Sequence, residues 1–140
     1  MNFYISSRFS NIEKVRALRN HLLNDGHTHT YDWTTNDRAT SLEDLRAIGT
    51  NEFEAIKASD FVVILLPAGN SSHVELGIAL GAGVPLFIHD ATNRFDDVET
   101  TSTFYHLPHV IQLTGSLEDV PRAITTHFAT CVSPSGAVIG

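Results

Sequence analysis

Glu75 is the acidic residue whose position in the sequence best suits chemistry on a bound substrate. It follows residues 61–66, which are apolar at every position, as is typical of a strand buried on both faces. After a turn at 67–70, a helix is predicted to begin at Ser72, so Glu75 would lie in its first turn, where the helix dipole favours an ionised carboxylate. Such a carboxylate can attack a substrate or stabilise positive charge. Because Ser72-x-x-Glu75 also has the form of a capping box, a purely structural role for Glu75 remains open.

Two further groups near predicted strand ends are suited to holding a substrate. Ser6, Ser7 and Arg8 follow the first strand, and their hydroxyl and guanidinium groups suit a phosphate, although they can also serve only to join strand and helix. Trp33, the only tryptophan, is predicted to end the second strand, where it can stack on a base or simply pack.

Apolar segments and helical patterns alternate along the chain. The predicted strands are residues 3–5, 27–33, 61–66, 84–88 and 110–113. The predicted helices run from a capping box at Ser10–Glu13 to Gly26, from Ser41 through Ile56 with a break at Gly49, from Ser72 to about Gly81, and from Ser116 to about Thr130. The buried side of the second helix is predicted to be Leu42, Leu45, Ile48, Phe53 and Ile56.

This alternation predicts an α/β domain of three layers, flavodoxin-like (Rossmann-like), with a five-stranded parallel sheet in the order 2-1-3-4-5. Ligands of such sheets bind at the carboxyl ends of strands 1 and 3, which is where residues 6–8 and Glu75 fall. We assign residues 1–132 to this single domain and residues 133–140 to a loose carboxyl-terminal tail.

Composition limits the class of protein. The 140 residues include 9 basic and 16 acidic side chains, a net charge of −7 that argues against a nucleic-acid partner. No apolar run approaches the ~18 residues of a membrane span, and we expect a cytoplasmic protein that acts on a small molecule. The single Cys131 excludes a disulfide framework and is expected to be buried. His27 and His29 share a strand face but lack a third ligand, so neither a metal nor another cofactor is expected.

Three segments together resemble the nucleoside 2-deoxyribosyltransferase-like superfamily, which includes nucleotide N-hydrolases. Glu75-Leu-Gly77-Ile-Ala-Leu-Gly81-Ala-Gly-Val-Pro85, after an apolar strand, is similar to the family's segment around its glutamate. Tyr4-Ile-Ser-Ser-Arg-Phe9 and Glu52–Asp60 resemble its first strand and loop and the end of its second helix. Gly77 and Gly81 lie on one helical face, which suggests a close approach to the sheet or to a ligand.

The resemblance implies cleavage or transfer of the N-glycosidic bond of a nucleoside or nucleoside 5′-monophosphate. It makes Glu75 the nucleophile and Glu52 the second acidic residue of the catalytic site, which contacts the sugar or the base, although the family usually has Asp at the latter position. In the family's hydrolases the loop matching Ser6–Arg8 binds the 5′-phosphate. Gly69 stands where the transferases carry an aspartate, which favours hydrolysis. The predicted substrate-binding residues are Tyr4, Ser6, Ser7, Arg8, Trp33, Gly69, Asn70, Ser72 and His73.

The resemblance also implies a homodimer or larger homo-oligomer, because members of the family complete their sites across subunits. Phe95, Phe104 and Tyr105 are aromatic residues in the otherwise polar stretch 90–106, and we expect them to contribute to such an interface.

Two other functions remain open. Tyr4-Ile-Ser-Ser7, Ala58–Ile64 and Ser71–Leu76 are also similar to Toll/interleukin-receptor domains, some of which cleave NAD and others of which only bind signalling partners. A third interpretation is a non-catalytic nucleotide-binding module in which Glu75 is a helix cap. Gly77, Gly81 and the Gly-Val-Pro at 83–85 favour the deoxyribosyltransferase-like group.

Overall fold

A computed structural model describes residues 1–130 of the chain, so Cys131 and the proposed tail at 133–140 lie outside the described residues. Within this range the sheet is parallel and has five strands: β1 (Asn2–Ser7), β2 (Thr28–His29), β3 (Phe61–Leu65), β4 (Leu86–His89) and β5 (Val110–Leu113). The order is β2-β1-β3-β4-β5, which confirms the predicted flavodoxin-like α/β fold. The helices are α1 (Ile12–Asn24), α2 (Leu42–Lys57), α3 (Asn70–Gly81) and α4 (Val120–Thr130).

The two faces of the sheet build two separate apolar cores, because successive strand residues point to opposite sides. On one face Tyr4, Val62 and Ile64 pack with residues of α2 and α3, including Ile56 and Leu76. On the other face, Phe3, Ile5, Phe61 and Phe87 pack with residues of α1 and α4, including Val15, Leu18 and Ile124. The helices therefore cover both faces of β3, which is buried at every position as its sequence predicts.

The part of the chain before α2 differs from the prediction at β2 and at the start of α1. Strand β2 is only two residues long, and Trp33 begins a separate 3₁₀ turn, Trp33–Thr35. The predicted capping box at Ser10–Glu13 is wrong, because α1 begins at Ile12 after another 3₁₀ turn and has no side-chain cap. Asn11, which precedes α1, instead donates from its side-chain amide to the Ser7 hydroxyl at 2.9 Å and to the Pro67 carbonyl at 3.1 Å.

Helix α2 also departs from its prediction. It begins as expected, with the Ser41 hydroxyl accepting the backbone N–H of Asp44 at 3.0 Å. It then continues through Gly49 without a break. Leu42, Leu45 and Phe53 are exposed rather than buried. Ile56 is buried as predicted, together with Ala55, because only the carboxyl-terminal part of α2 reaches the core. No helix within residues 1–130 is long and apolar enough to cross a membrane.

A histidine is enclosed at the edge of the sheet. The ring of His29 stacks on Phe3, with ring centres 4.7 Å apart, and its Nε2 atom is buried without a hydrogen-bond partner among the described residues. Burial lowers the pKa of His29 from 6.5 to about 4, while nearby Asp32 and Arg19 act in opposite directions on it. The neutral ring is therefore the form that suits the folded state.

We predict that His29→Phe reduces the loss of stability in acid. A histidine whose pKa is lower in the folded than in the unfolded chain stabilises the fold fully above about pH 6.5, and this contribution is lost as the pH falls towards 4. Phenylalanine keeps the aromatic stacking but takes up no proton. Urea unfolding at pH 7.5 and pH 5 should show a smaller drop in the free energy of unfolding for the variant. The exposed His109, changed to Gln, is the control and should behave like the native protein; an equal drop in all three proteins would contradict the prediction.

Candidate active site

The carboxylate of Glu75 is buried against the first strand of the sheet. Helix α3 begins at Asn70, two residues earlier than predicted, so Glu75 lies in its second turn rather than its first. Glu75 is only 7% exposed. Its Oε1 accepts a hydrogen bond from the Ser6 hydroxyl at 2.8 Å, and its Oε2 accepts one from the Tyr4 hydroxyl. The Gly69 N–H at the start of α3 instead meets the hydroxyl of buried Ser72 at 3.4 Å, so the capping interpretation of Glu75 is wrong.

Tyr4 and Ser6 are brought to Glu75 by the alternation of side chains along β1. Residues two apart on a strand point to the same face, and both side chains are fully buried on the face that α2 and α3 cover. Tyr4 pairs with Val62 and Ser6 with Ile64 in the adjoining strand β3. The hydroxyls of β1 are thus fixed in place by the central ladder of the sheet, and the carboxylate of α3 is held against them.

A second carboxylate reaches the same tyrosine. Glu52, half-buried on α2, has its Oε2 atom 3.0 Å from the Tyr4 hydroxyl. A tyrosine hydroxyl carries one proton, so Tyr4 donates to one carboxylate at a time. The structure therefore brings together Tyr4, Ser6, Glu52 and Glu75, four residues that the sequence selected for the site.

Burial is the main influence on the pKa of both Glu75 and Tyr4. It raises the pKa of Glu75 to about 7, an effect that the Tyr4 and Ser6 hydrogen bonds oppose and that nearby Glu52 reinforces. Burial, followed by the two carboxylates, raises the pKa of Tyr4 above its ordinary value, so Tyr4 keeps its proton. The expectation that the helix dipole keeps Glu75 ionised is wrong, because the dipole acts within the first turn and Glu75 lies beyond it. Near neutral pH both forms of Glu75 are present.

Glu52 also lines an open cavity of about 420 Å³ together with Trp33. Trp33 does not end a strand as predicted, but its ring N–H donates to the Ile5 carbonyl of β1 at 2.8 Å. The turn that carries it is held by Asp32, which accepts the Thr34 N–H at 3.0 Å and forms an ion pair with Arg19. Since the ring nitrogen is already bonded, Trp33 offers only its ring surface to a ligand.

Sequence reasoning missed other residues of this cavity. They come from three separate segments: Phe9, Asn36, Asp37, Arg38 and Ile48. Phe9 is 73% exposed, so its ring is accessible at this cavity. Of these residues only Phe9 could have been selected from the sequence, because it ends the segment Tyr4–Phe9 that resembles the family. The residues from 36 to 38 lie in an irregular stretch without a pattern.

The remaining predicted binding residues have other neighbours. The Ser7 hydroxyl donates to the Leu65 carbonyl at 2.8 Å and accepts a hydrogen bond from Asn11, so it is engaged in joining β1 to β3 and α1. Arg8 is exposed and donates to the Ala68 carbonyl at 3.3 Å, next to Gly69.

Asn70 is exposed in the first turn of α3, and its side chain has no hydrogen-bond partner among residues 1–130. His73 turns away from the carboxylates: its Nε2 lies 2.6 Å from the Tyr105 hydroxyl and its Nδ1 2.8 Å from the Gly69 carbonyl. It lines a second cavity, to which neither Glu52 nor Glu75 contributes.

The glycines of α3 do not mark a close approach within the chain. Gly77 and Gly81 are exposed, and a Cβ atom at either position would have no neighbour within 4 Å, so the expected approach to the sheet is wrong, whereas an approach to a ligand stays a prediction. Gly83 has a clear structural reason, because its φ of +73° is the left-handed conformation that commonly follows the end of a helix. Among residues 1–130 no group of three or more His, Cys, Asp or Glu side chains is arranged to hold a metal ion.

Comparison with known proteins identifies solved structures that share the fold of this chain. No family model matches the sequence, and no curated protein matches it. A solved CMP N-glycosidase from Clostridium botulinum, BcmB, is similar in structure with a TM-score of 0.63 and 12% identity, covering 89% of this chain and 99% of that protein. A conserved protein from Enterococcus faecalis V583 is similar with a TM-score of 0.55 and 14% identity, covering 91% and 98%. At these identities the similarity shows a shared fold, and this fold is the one that the sequence resemblance implied.

We predict that Glu75 titrates near pH 7 and that Tyr4→Phe raises its pKa further. The Tyr4 hydroxyl stabilises the ionised carboxylate, and phenylalanine removes that hydrogen bond while it keeps the ring. Carbon-13 NMR of the glutamate side-chain carboxyls measures both values directly. Tyr31→Phe is the control, because the Tyr31 hydroxyl bonds to Asn36. A Glu75 resonance that titrates near 4.5 in the native protein would show that burial does not govern this group.

Proposed function

We propose that the protein hydrolyses the N-glycosidic bond of a nucleoside or nucleoside 5′-monophosphate, with Glu75 as the nucleophile. The observation that carries the proposal is a buried carboxylate of raised pKa, held by two hydroxyls of β1 and joined through Tyr4 to a second carboxylate. Strongly shifted carboxylates next to a cleft are typical of catalytic sites. The shared fold with a CMP N-glycosidase supports the same class of reaction.

The chemistry follows from the charge that develops during cleavage. As the bond from C1′ to the base breaks, the sugar acquires oxocarbenium character, which an adjacent carboxylate stabilises and can trap as a glycosyl ester. Water then attacks C1′ and breaks the ester bond, which restores the carboxylate and releases the proton that the departed base takes up. The net reaction converts a nucleoside and water into free sugar and free base, and a 5′-monophosphate and water into sugar 5-phosphate and free base. Each oxygen of Glu75 accepts one hydrogen bond and keeps a second lone pair for this attack.

The other groups of the site have supporting roles in this proposal. Glu52, which is half-buried and lines the cavity, orients the sugar hydroxyls. Trp33 and Phe9 lie at the same cavity, and the aromatic surface of Trp33 stacks on the base. The guanidinium of exposed Arg8 binds the 5′-phosphate. Gly69 carries no carboxylate to assist an incoming base, which favours water as the acceptor.

We also propose a homodimer or larger homo-oligomer, but on a different surface from the one the sequence suggested. Phe95 and Tyr105 are buried in the core of their own chain, so of the three aromatic residues only Phe104 is available. Exposed apolar side chains instead lie on the two helices that carry Glu52 and Glu75, and a second subunit would cover them: Leu42, Leu45 and Phe53 on α2 and Val74 on α3.

We predict that Glu75→Gln lowers the rate of base release by a factor of 10² to 10³. Glutamine keeps the size of the side chain and can still accept the Tyr4 hydrogen bond, but it cannot attack C1′ or stabilise positive charge, and such a group contributes about 3–4 kcal/mol to the barrier. The assay incubates nucleosides, their 5′-monophosphates and NAD with the protein and measures free base by chromatography. Glu54→Gln, an exposed glutamate on the same helix as Glu52, is the matched control.

The thermal stability of the Gln variant provides a second readout. Because the pKa of Glu75 is higher in the folded chain than in the unfolded one, this group favours folding most below about pH 4.5, and that contribution is lost as the pH rises through 7. The Gln variant should therefore melt at or above the native temperature at pH 8.

Two results of the base-release assay would contradict the proposal. Equal rates of base release in the native and Gln proteins would leave Glu75 without a catalytic role, and no release by the native protein from any substrate would favour a non-catalytic binding module.

We predict that Arg8→Met discriminates between phosphorylated and unphosphorylated substrates. The guanidinium would contact only the 5′-phosphate, so kcat/KM for the monophosphate should fall about tenfold or more while kcat/KM for the nucleoside stays unchanged. Steady-state kinetics with both substrates gives the comparison, and Arg46→Met on the exposed side of α2 is the control. An equal effect on both substrates would show that Arg8 acts through the structure of its loop rather than through phosphate.

A further inference from the structure

A second cavity lies on the side of α3 opposite to Glu75. His73 lines this cavity, and it precedes Glu75 by two positions, or about 200° around a helix. The cavity has a volume of about 220 Å³ and is formed by the loops that follow β3 and β4. It is therefore a separate site, and the proposed hydrolysis does not use it.

The floor of the cavity is aromatic and apolar. Phe95 and Tyr105 are buried, and their rings meet edge to face with centres 6.2 Å apart. Leu66, Pro67 and Ala68 complete the apolar lining. An apolar cavity of about 150 Å³ is large enough to hold benzene, so this cavity has room for one six-membered ring with its substituents.

The rim of the cavity carries hydrogen-bonding groups that the protein does not use. Arg94 donates from Nε to the Thr92 hydroxyl at 2.9 Å, but its two terminal nitrogens have no partner among residues 1–130. The side-chain hydroxyls of Thr100 and Ser102 likewise have no hydrogen-bond partner within that range. A guanidinium offers parallel N–H groups that match two adjacent acceptor atoms on a planar ligand.

The charge of the cavity is close to balanced. Asp90 is almost fully buried, and its Oδ2 atom lies 3.5 Å from Nε of Arg94. Its carboxylate also accepts hydrogen bonds from the Thr92 N–H and hydroxyl and from the Arg94 N–H, so it has little capacity left for a ligand. Since the carboxylate offsets the guanidinium, the cavity suits a neutral polar ring better than an anion.

We propose that this cavity binds a free pyrimidine-type base, meaning a neutral six-membered heteroaromatic ring with a carbonyl next to a ring nitrogen. The terminal nitrogens of Arg94 donate to that carbonyl and ring nitrogen, the hydroxyls of Thr100 and Ser102 bond to the remaining polar edge, and the ring packs on Phe95 and Tyr105. The site goes beyond the proposed hydrolysis and does not depend on it, because binding here requires neither Glu75 nor Glu52.

The test is an amide NMR titration of the full chain with cytosine, with cytidine and with inorganic phosphate as separate probes. Cytosine should shift the signals of Phe95, Ser102 and Tyr105 with a dissociation constant on the order of 1 mM or below, as expected for so small a ligand. Cytidine distinguishes a site for the free base from a site that binds the base as part of a nucleoside. It should bind more weakly than cytosine, because the volume of the cavity suits one ring and leaves no room for the ribose. Inorganic phosphate should not compete with cytosine.

Variants separate this site from the carboxylate site. Arg94→Met should weaken cytosine binding about tenfold, and Ser102→Ala should weaken it by a smaller factor. Arg122→Met, which removes an exposed guanidinium from α4, and Glu75→Gln should both leave it unchanged. The amide spectrum of each variant, recorded without ligand, shows whether it is folded.

Four results would overturn the proposal: no shift at about 10 mM cytosine, shifts at Trp33 and Glu52 instead, unchanged binding in both folded rim variants, or displacement of cytosine by phosphate. The test of cytosine binding and the test of hydrolysis can fail separately. Cytosine binding in a protein that releases no base would support this site and contradict the proposed function, and base release without cytosine binding would do the reverse.

Discussion

The hydrogen bonds from Tyr4 and Ser6 to Glu75 are the interactions on which the geometry of the site depends. A carboxylate that is removed from water without hydrogen-bond donors is strongly destabilising, so Glu75 can be buried only where donors face it. Strand β1 supplies two donors at alternate positions, and its pairing with β3 fixes how far each reaches. Helix α3 is thereby held in one position relative to β1. Because Tyr4 also contacts Glu52, the same hydroxyl fixes α2 against the same point.

The burial of Glu75 opposes folding wherever its carboxylate is ionised. The raised pKa of Glu75 means that the fold favours the protonated carboxyl, while an attack on carbon needs the ionised form. A helix cap or a surface ion pair would have the opposite effect on a carboxylate, lowering its pKa. An apolar side chain would fill the space under β1 without this penalty. Stability alone does not account for the Tyr4–Glu52–Glu75 group, and this supports the chemical role that we propose for Glu75.

The fold was predictable because its signals are local. Residues 61–66 are apolar throughout, and the strand and helix patterns alternate, so topology rules left few arrangements of the sheet. The identities of Tyr4, Ser6, Glu52 and Glu75 were also accessible through the family resemblance. Their contacts were not, because they depend on how α2 and α3 sit over β1. The two-residue error at the start of α3 shows the difference: it moved Glu75 from the first turn, where a helix dipole acts, into the second, where burial determines its pKa.

Exposure was harder to predict than secondary structure. Helical spacing shows that Leu42, Leu45 and Ile56 lie near one face of α2, but it does not show how much of that face the sheet covers. Only the carboxyl-terminal part of α2 reaches the core, where Ala55 and Ile56 are buried. The reverse error occurred at Phe95 and Tyr105, which lie in a polar stretch without periodicity and yet are buried. A segment without a pattern can still pack its aromatic residues when its loops fold back on the sheet.

One hydrogen bond connects the proposed phosphate-binding residue to the second cavity. Arg8, in the loop after β1, donates to the carbonyl of Ala68, and Ala68 lines the cavity that holds Arg94. A phosphate bound to Arg8 would compete with this carbonyl for the guanidinium, and a ring bound on the other side would press on the same loop. Binding at one site changes the affinity of the other only if the loop from 66 to 69 has two conformations and each ligand binds one of them more tightly, because coupling requires that the ligands stabilise the conformations to different extents. The short path from Arg8 to Ala68 makes this loop the place where such a difference would arise.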